Sequence, residues 1–418
     1  MKKNLALTLN VILILTMASP FLLSAKVARC SPAREIPAIV STDWLYNNLN
    51  TGLEGLVVLD VRSPDLYNVG HIPGAINFPD YLWYVNPPFG DNFPWMEMPP
   101  QDYLFELIGN ASITSNSKVV IVGSTSGPLS PLPLALYSTG GITRVAMTLL
   151  YAGIENVAIL DGGYEKWVDD GYPTETAPHV PTPITYSGTL KSGMIVSKEY
   201  VASKIGSAII VDSRDLEVYL GFIQEPWTAR VGHIPTARSF PTPWVWSINL
   251  NETSGEAIYI TYKDADFLEA LAGYIVGTNK SEEVIVYCGV GGYASTMYFV
   301  LSEVLNYTNV KVYDGSAQEW TSDMSLPVVH EGLGSEYMEL YDNYTELQED
   351  YNRLRNDFDA LQDDYDQLQD DYNELLNKYE ELTKTTTPAY LTYTFIATTI
   401  IFLLISIYLG IKVRGKKP

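Results

Sequence analysis

The stretch VIVYCGVGGYAST, residues 284–296, contains one of only two cysteines in a chain of 418 residues. The apolar run before Cys288 is rich in β-branched residues and predicts a short buried strand. The three glycines that follow predict a tight loop, after which TMYFVLSEVL, residues 296–305, predicts a helix. A strand, a loop and a helix in this order are typical of a parallel α/β sheet.

The same pattern occurs twice in the body of the chain. The first copy contains VVLDVRSPDLYNVGHIPGAINFP, SKVVIVGSTSG and VAILDGGYEKW, at residues 57–79, 117–127 and 157–167. The second copy contains AIIVDSRDLEVYLGFIQEPWTARVGHIPTARSFP, EEVIVYCGVGG and VKVYDGSAQEW, at residues 208–241, 282–292 and 310–320. Repetition of three segments in one order predicts two tandem α/β domains, each a parallel sheet flanked by helices.

We expect the first domain at residues 36–177 and the second at residues 191–328. The segment between them, residues 178–190, includes prolines that suit an extended linker. VAMTLLYAG, at residues 145–153, predicts a helix in the first domain that corresponds to the helix after Cys288.

Both ends of the chain predict contact with a membrane. Residues 1–28 begin with two lysines, followed by an apolar run and small residues, which is typical of a secretory signal peptide. Residues 391–411 are uncharged and long enough for a transmembrane helix. The basic residues within 412–418 place this tail in the cytoplasm by the positive-inside rule. We therefore expect a single-pass protein of the cell membrane with its globular domains on the extracytoplasmic side.

Residues 335–384 repeat every seven residues and predict an α-helical coiled coil. One heptad position is aromatic and the position three residues later is leucine; the two sets are Tyr337, Tyr344, Tyr351, Phe358, Tyr365, Tyr372 and Tyr379, and Leu340, Leu347, Leu354, Leu361, Leu368, Leu375 and Leu382. We expect a stalk that joins copies of the chain into a homo-oligomer. The formal charge of −23 excludes nucleic acid as a partner, because lysine and arginine hold phosphate.

GHIPGA and GHIPTA, the strand-ending cysteine and the DG(G/S) segments followed by tryptophan together resemble the rhodanese superfamily. The tandem arrangement is similar to that of thiosulfate and 3-mercaptopyruvate sulfurtransferases. The resemblance implies a sulfurtransferase without a cofactor, which moves sulfur from a small anionic donor to a thiol or cyanide through a persulfide on Cys288. It covers most of residues 36–328 and does not extend to the stalk or the membrane helix.

Main-chain amides and the positive end of a helix dipole meet at the loop after such a strand and favour a thiolate. We therefore expect Cys288 to be exposed, deprotonated and nucleophilic. The predicted substrate-binding residues of the loop are Gly289, Val290, Gly291, Gly292 and Tyr293. The first domain has Gly123 in place of the cysteine and is expected to be catalytically silent. Its Ser124 and Ser126 are interpreted as structural, because the sequence places no base nearby.

The loop departs from both enzyme types. It lacks the cations of the thiosulfate-type C-R-K-G loop and is closer to the CGSG loop of the mercaptopyruvate type. The two substrate-binding arginines of that type correspond to Val218 and Trp227, which leaves Arg230 and Arg238 as the candidates for donor binding. The pairs Asp60–Arg62 and Asp212–Arg214, each at the end of a predicted strand, are expected to be structural, and His71 and His233 to be turn residues.

An alternative interpretation is a non-catalytic surface module, in which the stalk presents the two domains to a binding partner. The missing arginines and the silent first domain favour it, and it predicts a buried, unreactive thiol. No metal site is expected under either interpretation, since the four histidines and two cysteines lack the spacing of metal ligands.

Overall fold

The computed structural model describes five segments of the chain, residues 34–85, 96–130, 133–330, 335–385 and 389–414. The predicted signal peptide and Cys30 lie outside them. The described residues belong to two compact units, of which the first ends at Gly332 and the second begins at Leu333.

The first domain is built on a five-stranded sheet in the order β1-β5-β4-β2-β3, with every neighbouring pair parallel. Its strands are β1 (Ile39–Val40), β2 (Leu56–Asp60), β3 (Ile76–Asn77), β4 (Lys118–Val122) and β5 (Asn156–Leu160). The central strands are apolar throughout because helices cover both faces. These helices are Thr42–Thr51, Pro64–Val69, Gln101–Asn110, Leu134–Tyr151 and Gly163–Asp169.

The second domain repeats this topology, with five parallel strands in the order β6-β12-β11-β7-β8. Its strands are β6 (Ile195–Val196), β7 (Ile209–Asp212), β8 (Arg238–Ser239), β11 (Val284–Tyr287) and β12 (Val310–Tyr313), and its helices are Lys198–Lys204, Leu216–Tyr219, Ala265–Ile275, Gly292–Phe299 and Ser316–Ser322. The predicted pair of parallel α/β domains is therefore confirmed. Cys288 follows β11 at the place where Gly123 follows β4.

A hairpin that the sequence analysis did not predict connects the second domain to the first. Its strands are β9 (Trp246–Leu250) and β10 (Ala257–Tyr262), which pair antiparallel. Gly127 and Ala257 exchange two main-chain hydrogen bonds of 2.9 Å. The hairpin thereby fixes the first domain against the second.

The helices Leu134–Tyr151 and Gly292–Phe299 pack together between the two domains, and the hydroxyls of Thr143 and Thr296 lie 2.5 Å apart. The first helix begins at Leu134, earlier than predicted, and its Gly140 lies against the ring of Tyr293 at van der Waals distance. The second helix also begins before the predicted residue 296, and it continues as a π-helical turn at Val300–Val304.

The aspartate–arginine pairs have the predicted structural role in both domains. The guanidinium of Arg62 donates to Asp60 at 2.6 Å and to the carbonyl of Gly70 at 2.8 Å. Arg214 donates in the same way to Asp212 at 2.6 Å and to Gly232 at 2.7 Å. Each buried arginine thus joins the end of a central strand to the turn before the GHIP histidine.

The second unit consists of the helices Ser335–Thr385 and Ala389–Arg414. Residues Tyr390–Lys412, with a mean hydropathy of 2.3, are long and apolar enough to cross a membrane. Heptad residues of the longer helix are exposed, as at Leu347 (66%) and Leu354 (61%), while Tyr379 stacks on Phe395 of the apolar helix. Part of the heptad seam is thus exposed and part contacts the apolar helix, and the coiled coil and homo-oligomerisation stay predictions.

The interdomain linker packs closely on the first domain at Gly109. The amide of Ile184 donates to the carbonyl of Gly109 at 3.0 Å, and a Cβ on Gly109 would lie only 2.3 Å from the carbonyl oxygen of Ile184. We expect Gly109→Ala to lower the free energy of unfolding by about 1–3 kcal/mol, as overpacking usually does. Urea denaturation of the full chain in detergent measures the change.

The control is Gly193→Ala, because a Cβ on Gly193 meets no atom within 4 Å. We expect it to change the stability by less than about 0.5 kcal/mol. Equal stabilities of the two variants would contradict the packing described for the linker.

Candidate active site

The sulfur of Cys288 lies among main-chain amides, as the strand–loop–helix pattern predicts. The amide of Gly291 donates to Sγ at 3.0 Å. The loop is fixed at its start, where the amide of Cys288 donates to the hydroxyl of Ser316 at 3.3 Å and its carbonyl accepts from the amide of Ala317 at 2.8 Å. One hydrogen bond thus holds the sulfur towards the loop, and two others hold the main chain of Cys288.

The expectation of an exposed, deprotonated thiol is wrong for this closed arrangement. Cys288 is only 3% exposed. Burial raises the pKa of the thiol above its ordinary value, since the thiolate loses its hydration. The amides of Ala294, Gly291 and Val290 act in the opposite direction, whereas the carboxylate of Glu225 adds to the increase. The thiol is therefore protonated at neutral pH while the site is closed.

Two side chains from the segment between the helix Leu216–Tyr219 and the GHIP turn cover one side of the loop. A Cβ on Gly289 would lie 2.4 Å from Nε1 of Trp227 and 2.8 Å from each carboxylate oxygen of Glu225. The side chain of Glu225 is 15% exposed, and its Oε2 atom and Nε1 of Trp227 are buried. A larger residue at position 289 would displace these two side chains from the loop.

Glu225 is held beside a permanent positive charge. Its carboxylate lies 3.5 Å from the guanidinium of Arg214. Burial raises the pKa of Glu225 to about 7, although Arg214 lowers it in part. The carboxyl group therefore changes its charge near neutral pH, close to the thiol.

The first domain supplies the other side of the loop through Arg144. A Cβ on Gly291 would lie 3.1 Å from Nη1 of Arg144. The guanidinium is fully buried and donates to Asp314 at 2.5 and 3.2 Å, and its Nε has no hydrogen-bond partner in the described parts of the chain. Burial beside Asp314 raises the pKa of the neighbouring Glu97 to about 8. A cation from the silent domain thus lies next to the cysteine loop.

Three aromatic rings line the boundary between the domains at this loop. The ring of Tyr137, from the first domain, lies 5.8 Å from that of Tyr293 and 6.3 Å from that of Trp227. Tyr293 is buried, and Tyr137 is half-buried. Apolar walls of this kind exclude water around the sulfur.

The predicted loop residues Gly289, Val290, Gly291, Gly292 and Tyr293 surround the thiol, and their part in substrate binding stays a prediction. The candidate arginines have other partners. The guanidinium nitrogens of Arg230 donate to the carbonyls of Trp320, Thr321, Asp323 and Leu326. Arg238 donates to the carbonyls of Ile275 and Val276. These bonds match the structural role that the sequence also allowed.

The equivalent loop of the first domain has no room for a cysteine. The carbonyl of Gly123 accepts from the amide of Tyr164 at 3.0 Å, as the carbonyl of Cys288 does from Ala317. A Cβ on Gly123 would lie 2.3 Å from Cγ1 of Ile142. The isoleucine side chain therefore takes the space that a catalytic side chain would need.

The serines of this first loop have a carboxylate partner, contrary to the sequence-based expectation. The hydroxyl of Ser124 donates to Glu165 at 2.5 Å and that of Ser126 at 3.2 Å. Glu165 also accepts from the amide of Thr125 at 2.9 Å. A carboxylate that ties two serines and an amide together gives the loop a structural role.

The sequence analysis did not identify Arg144 or Glu225 as site residues. Arg144 is the single charged residue in the helix Leu134–Tyr151. A lone charge in an otherwise uncharged helix indicates a buried, paired group, and the sequence could have shown this. The structure also brings together His71, Glu175 and His179, whose positions in the sequence showed no metal-ligand spacing.

The rhodanese-like domain family model matches residues 41–170 and 197–323, and the chain belongs to this family. A protein of Synechococcus elongatus named "Putative thiosulfate sulfurtransferase" is 30% identical over 292 residues, which are 69% of this chain and 84% of that protein. The sulfur carrier protein TtuD of Thermus thermophilus is 27% identical over 302 residues, which are 69% of this chain and 95% of that protein.

The fold is also that of solved structures. The anaerobic ergothioneine biosynthesis enzyme from Chlorobium limicola aligns with a TM-score of 0.57 and 22% identity, over 71% of this chain and 70% of that chain. YnjE aligns with a TM-score of 0.55 and 22% identity, over 72% of this chain and 70% of that chain. At this identity the likeness concerns the fold alone.

We expect Glu225→Gln to lower the pKa of Cys288, because the buried carboxylate opposes formation of the thiolate. Since the pKa of Glu225 is about 7, the wild-type group is ionised above this pH and neutral below it. The variant should therefore react faster than the wild type with iodoacetamide above pH 7, and the difference should shrink at lower pH. Mass spectrometry of alkylated Cys288 across a pH series gives both rates.

The control is Glu217→Gln, which removes an exposed carboxylate from the helix Leu216–Tyr219. Its pH curve should coincide with that of the wild type. A Glu225→Gln curve that also coincides would show that the carboxylate does not act on the thiol.

Proposed function

We propose that the chain is a sulfurtransferase that carries sulfur as a persulfide on Cys288, taking it from thiosulfate or 3-mercaptopyruvate. The observation that carries this proposal is the 3.0 Å hydrogen bond from the amide of Gly291 to Sγ, at a loop between a central strand and a helix. A sulfur atom directed at amides is placed for anionic chemistry. The names of the relatives support sulfur transfer or sulfur carriage as the chemistry.

The reaction has two steps. The Cys288 thiolate attacks the outer sulfur of thiosulfate, a new S–S bond forms, and the old S–S bond breaks as sulfite leaves with the electron pair. Cyanide or an acceptor thiolate then attacks the outer sulfur of the persulfide, and the Cys288 thiolate leaves. No external oxidant is required: the outer sulfur of thiosulfate is already at the oxidation level of the persulfide, and with 3-mercaptopyruvate the C–S bond breaks and its electron pair leaves on carbon as the enolate of pyruvate, which takes up a proton.

Access to the buried thiol requires the cover to move. Rotation of Trp227 and Glu225 about their side-chain bonds would open the side of the loop at Gly289 without unfolding the sheet, once Glu225 leaves its contact with Arg214. If water or a donor reaches the sulfur by this route, part of the burial that raises the pKa of Cys288 would be removed while the amides of the loop remain. Binding of a donor in place of the cover would thus couple substrate binding to activation of the thiol.

The silent first domain would contribute to the same site through Arg144. Its guanidinium is the nearest cation that the structure places at Gly291. Because Asp314 pairs with this guanidinium, Arg144 would act on an anionic donor such as thiosulfate through its N–H groups, with little net charge. The function of the first domain would then be electrostatic and structural, and the chemistry would belong to the second.

We further propose that the enzyme is anchored in the cell membrane with its domains on the extracytoplasmic side. The apolar helix Tyr390–Lys412 and the basic residues after it support this arrangement. The heptads of the stalk support a homo-oligomer.

The burial of Cys288 favours a second candidate, the non-catalytic binding module. A thiol that is 3% exposed and has a raised pKa resembles a structural cysteine. The two candidates differ in one respect: only the enzyme gains sulfur at Cys288.

We expect the purified chain to gain the mass of one sulfur atom on Cys288 after treatment with thiosulfate or 3-mercaptopyruvate, and to lose it on addition of cyanide. Cys288→Ser should remain unmodified and release no thiocyanate above background. Ser124→Ala changes the equivalent loop of the first domain and should behave like the wild type. Peptide mass spectrometry and thiocyanate release measure the two steps.

Thiocyanate release that persists in Cys288→Ser would exclude the proposed mechanism. An unmodified Cys288 after treatment with both donors would favour the binding module.

A further inference from the structure

Three side chains with metal-binding atoms meet at the edge of the first domain, where the GHIP turn lies beside the start of the linker. They are His71, Glu175 and His179, and their ligand atoms all lie within 4.8 Å of one another. The main chain fixes their positions, because His71 and Glu175 exchange two hydrogen bonds of 2.9 Å. The main chain of His179 forms a bridge with Ile76 and its amide donates to the hydroxyl of Tyr67 at 3.1 Å.

The ring of His71 is oriented as in a metal ligand. It is fully buried and stacks on Tyr67 with 3.8 Å between the ring centres. Its Nδ1 lies 2.9 Å from the carbonyl oxygen of Tyr67. A carbonyl can only accept, so Nδ1 carries the hydrogen and Nε2 of the neutral ring has a free lone pair.

The lone pair of His71 is directed towards the other two side chains. Nε2 has no hydrogen-bond partner among the described residues and lies 3.8 Å from Oε1 of Glu175. A buried nitrogen without a hydrogen bond is costly unless another group satisfies it. A metal ion at this place would do so.

The other two candidate ligands, Glu175 and His179, lie closer to the surface. Nε2 of His179 lies 2.8 Å from Oε1 of Glu175, and the amide of Gly74 donates to the same oxygen at 2.6 Å. Tetrahedral zinc with bonds of about 2.1 Å needs ligand atoms roughly 3.4 Å apart. The separations of 2.8 and 3.8 Å lie on either side of this value. The side chains of Glu175 and His179 are 32% and 47% exposed, so they can adjust and a water molecule can take the fourth position.

We infer that His71, Glu175 and His179 bind a zinc ion that attaches the interdomain linker to the first domain. Two imidazoles and one carboxylate are ligands that zinc accepts. The ion would join a buried turn of the first domain to Glu175, near the end of that domain, and to His179, at the start of the linker. Its effect is therefore structural, and it does not depend on the chemistry of Cys288.

The second domain provides an internal comparison. Nδ1 of His233 lies 2.7 Å from the carbonyl oxygen of Tyr219, and the two rings stack with 3.8 Å between their centres, as in the first domain. The strand partner of His233 is Val329, however, where His71 has Glu175. The histidine turn is thus common to both domains, while the carboxylate is present in the first alone. We expect one zinc ion per chain.

The test uses the full-length chain in detergent after treatment with a chelator. Zinc added to the wild type should bind at one ion per chain, measured by calorimetry, and should raise the melting temperature. Cobalt in place of zinc should give the visible absorption of a tetrahedral site. Glu175→Gln and His179→Ala change exposed side chains and should weaken binding by more than the roughly 10–100-fold that loss of a supporting contact costs.

Two control variants should bind zinc like the wild type. His330→Ala removes an exposed histidine near the corresponding turn of the second domain, and Cys288→Ser removes the thiol as a competing ligand. The inference is overturned if the wild type binds neither zinc nor cobalt, in which case the three side chains form only an ion-paired cluster. Zinc binding by Glu175→Gln and His179→Ala that is as tight as in the wild type would also overturn it.

Discussion

The hydrogen bond from the amide of Gly291 to the sulfur of Cys288 is the interaction on which the interpretation of this molecule depends. It exists because a central parallel strand ends in a glycine-rich loop that directly begins a helix. Two opposing effects then act on the thiol. The amides of the loop favour the thiolate, whereas burial and the carboxylate of Glu225 disfavour it, and burial is the largest effect. Reactivity of the sulfur therefore requires that the packing around it opens.

The two domains show how one loop can have two functions. In the second domain the space after the strand contains a thiol, and in the first the side chain of Ile142 fills the same space. The helix that carries Ile142 also carries Arg144, which lies beside the cysteine loop of the other domain. The first copy therefore has no room for a nucleophile at this position, while its helix contributes packing beside the loop of the second copy.

The fold was largely predictable from the sequence, since apolar strands, glycine loops and three repeated segments all indicate tandem parallel sheets. Cys288 and its amide partners followed from the same local pattern. The contacts of Glu225 and Arg144 with the loop were not predictable, because both residues lie far from the loop in the sequence and only tertiary packing brings them to it. The same reason applies to His71 and Glu175, which the sequence separates and the GHIP turn brings together. Exposure of the thiol was predicted wrongly, because a loop position alone does not determine what packs over it.

The most direct test of the central claim compares alkylation of Cys288 in the native chain with alkylation in urea. If rotation of Trp227 and Glu225 opens the site, native Cys288 should react at a rate that does not depend on low urea concentrations. Prior treatment with thiosulfate should move the alkylation to the outer sulfur of the persulfide, which mass spectrometry distinguishes from alkylation of the thiol. A thiol that reacts only as the whole domain unfolds, and that gains no sulfur from the donor, would contradict the proposed opening.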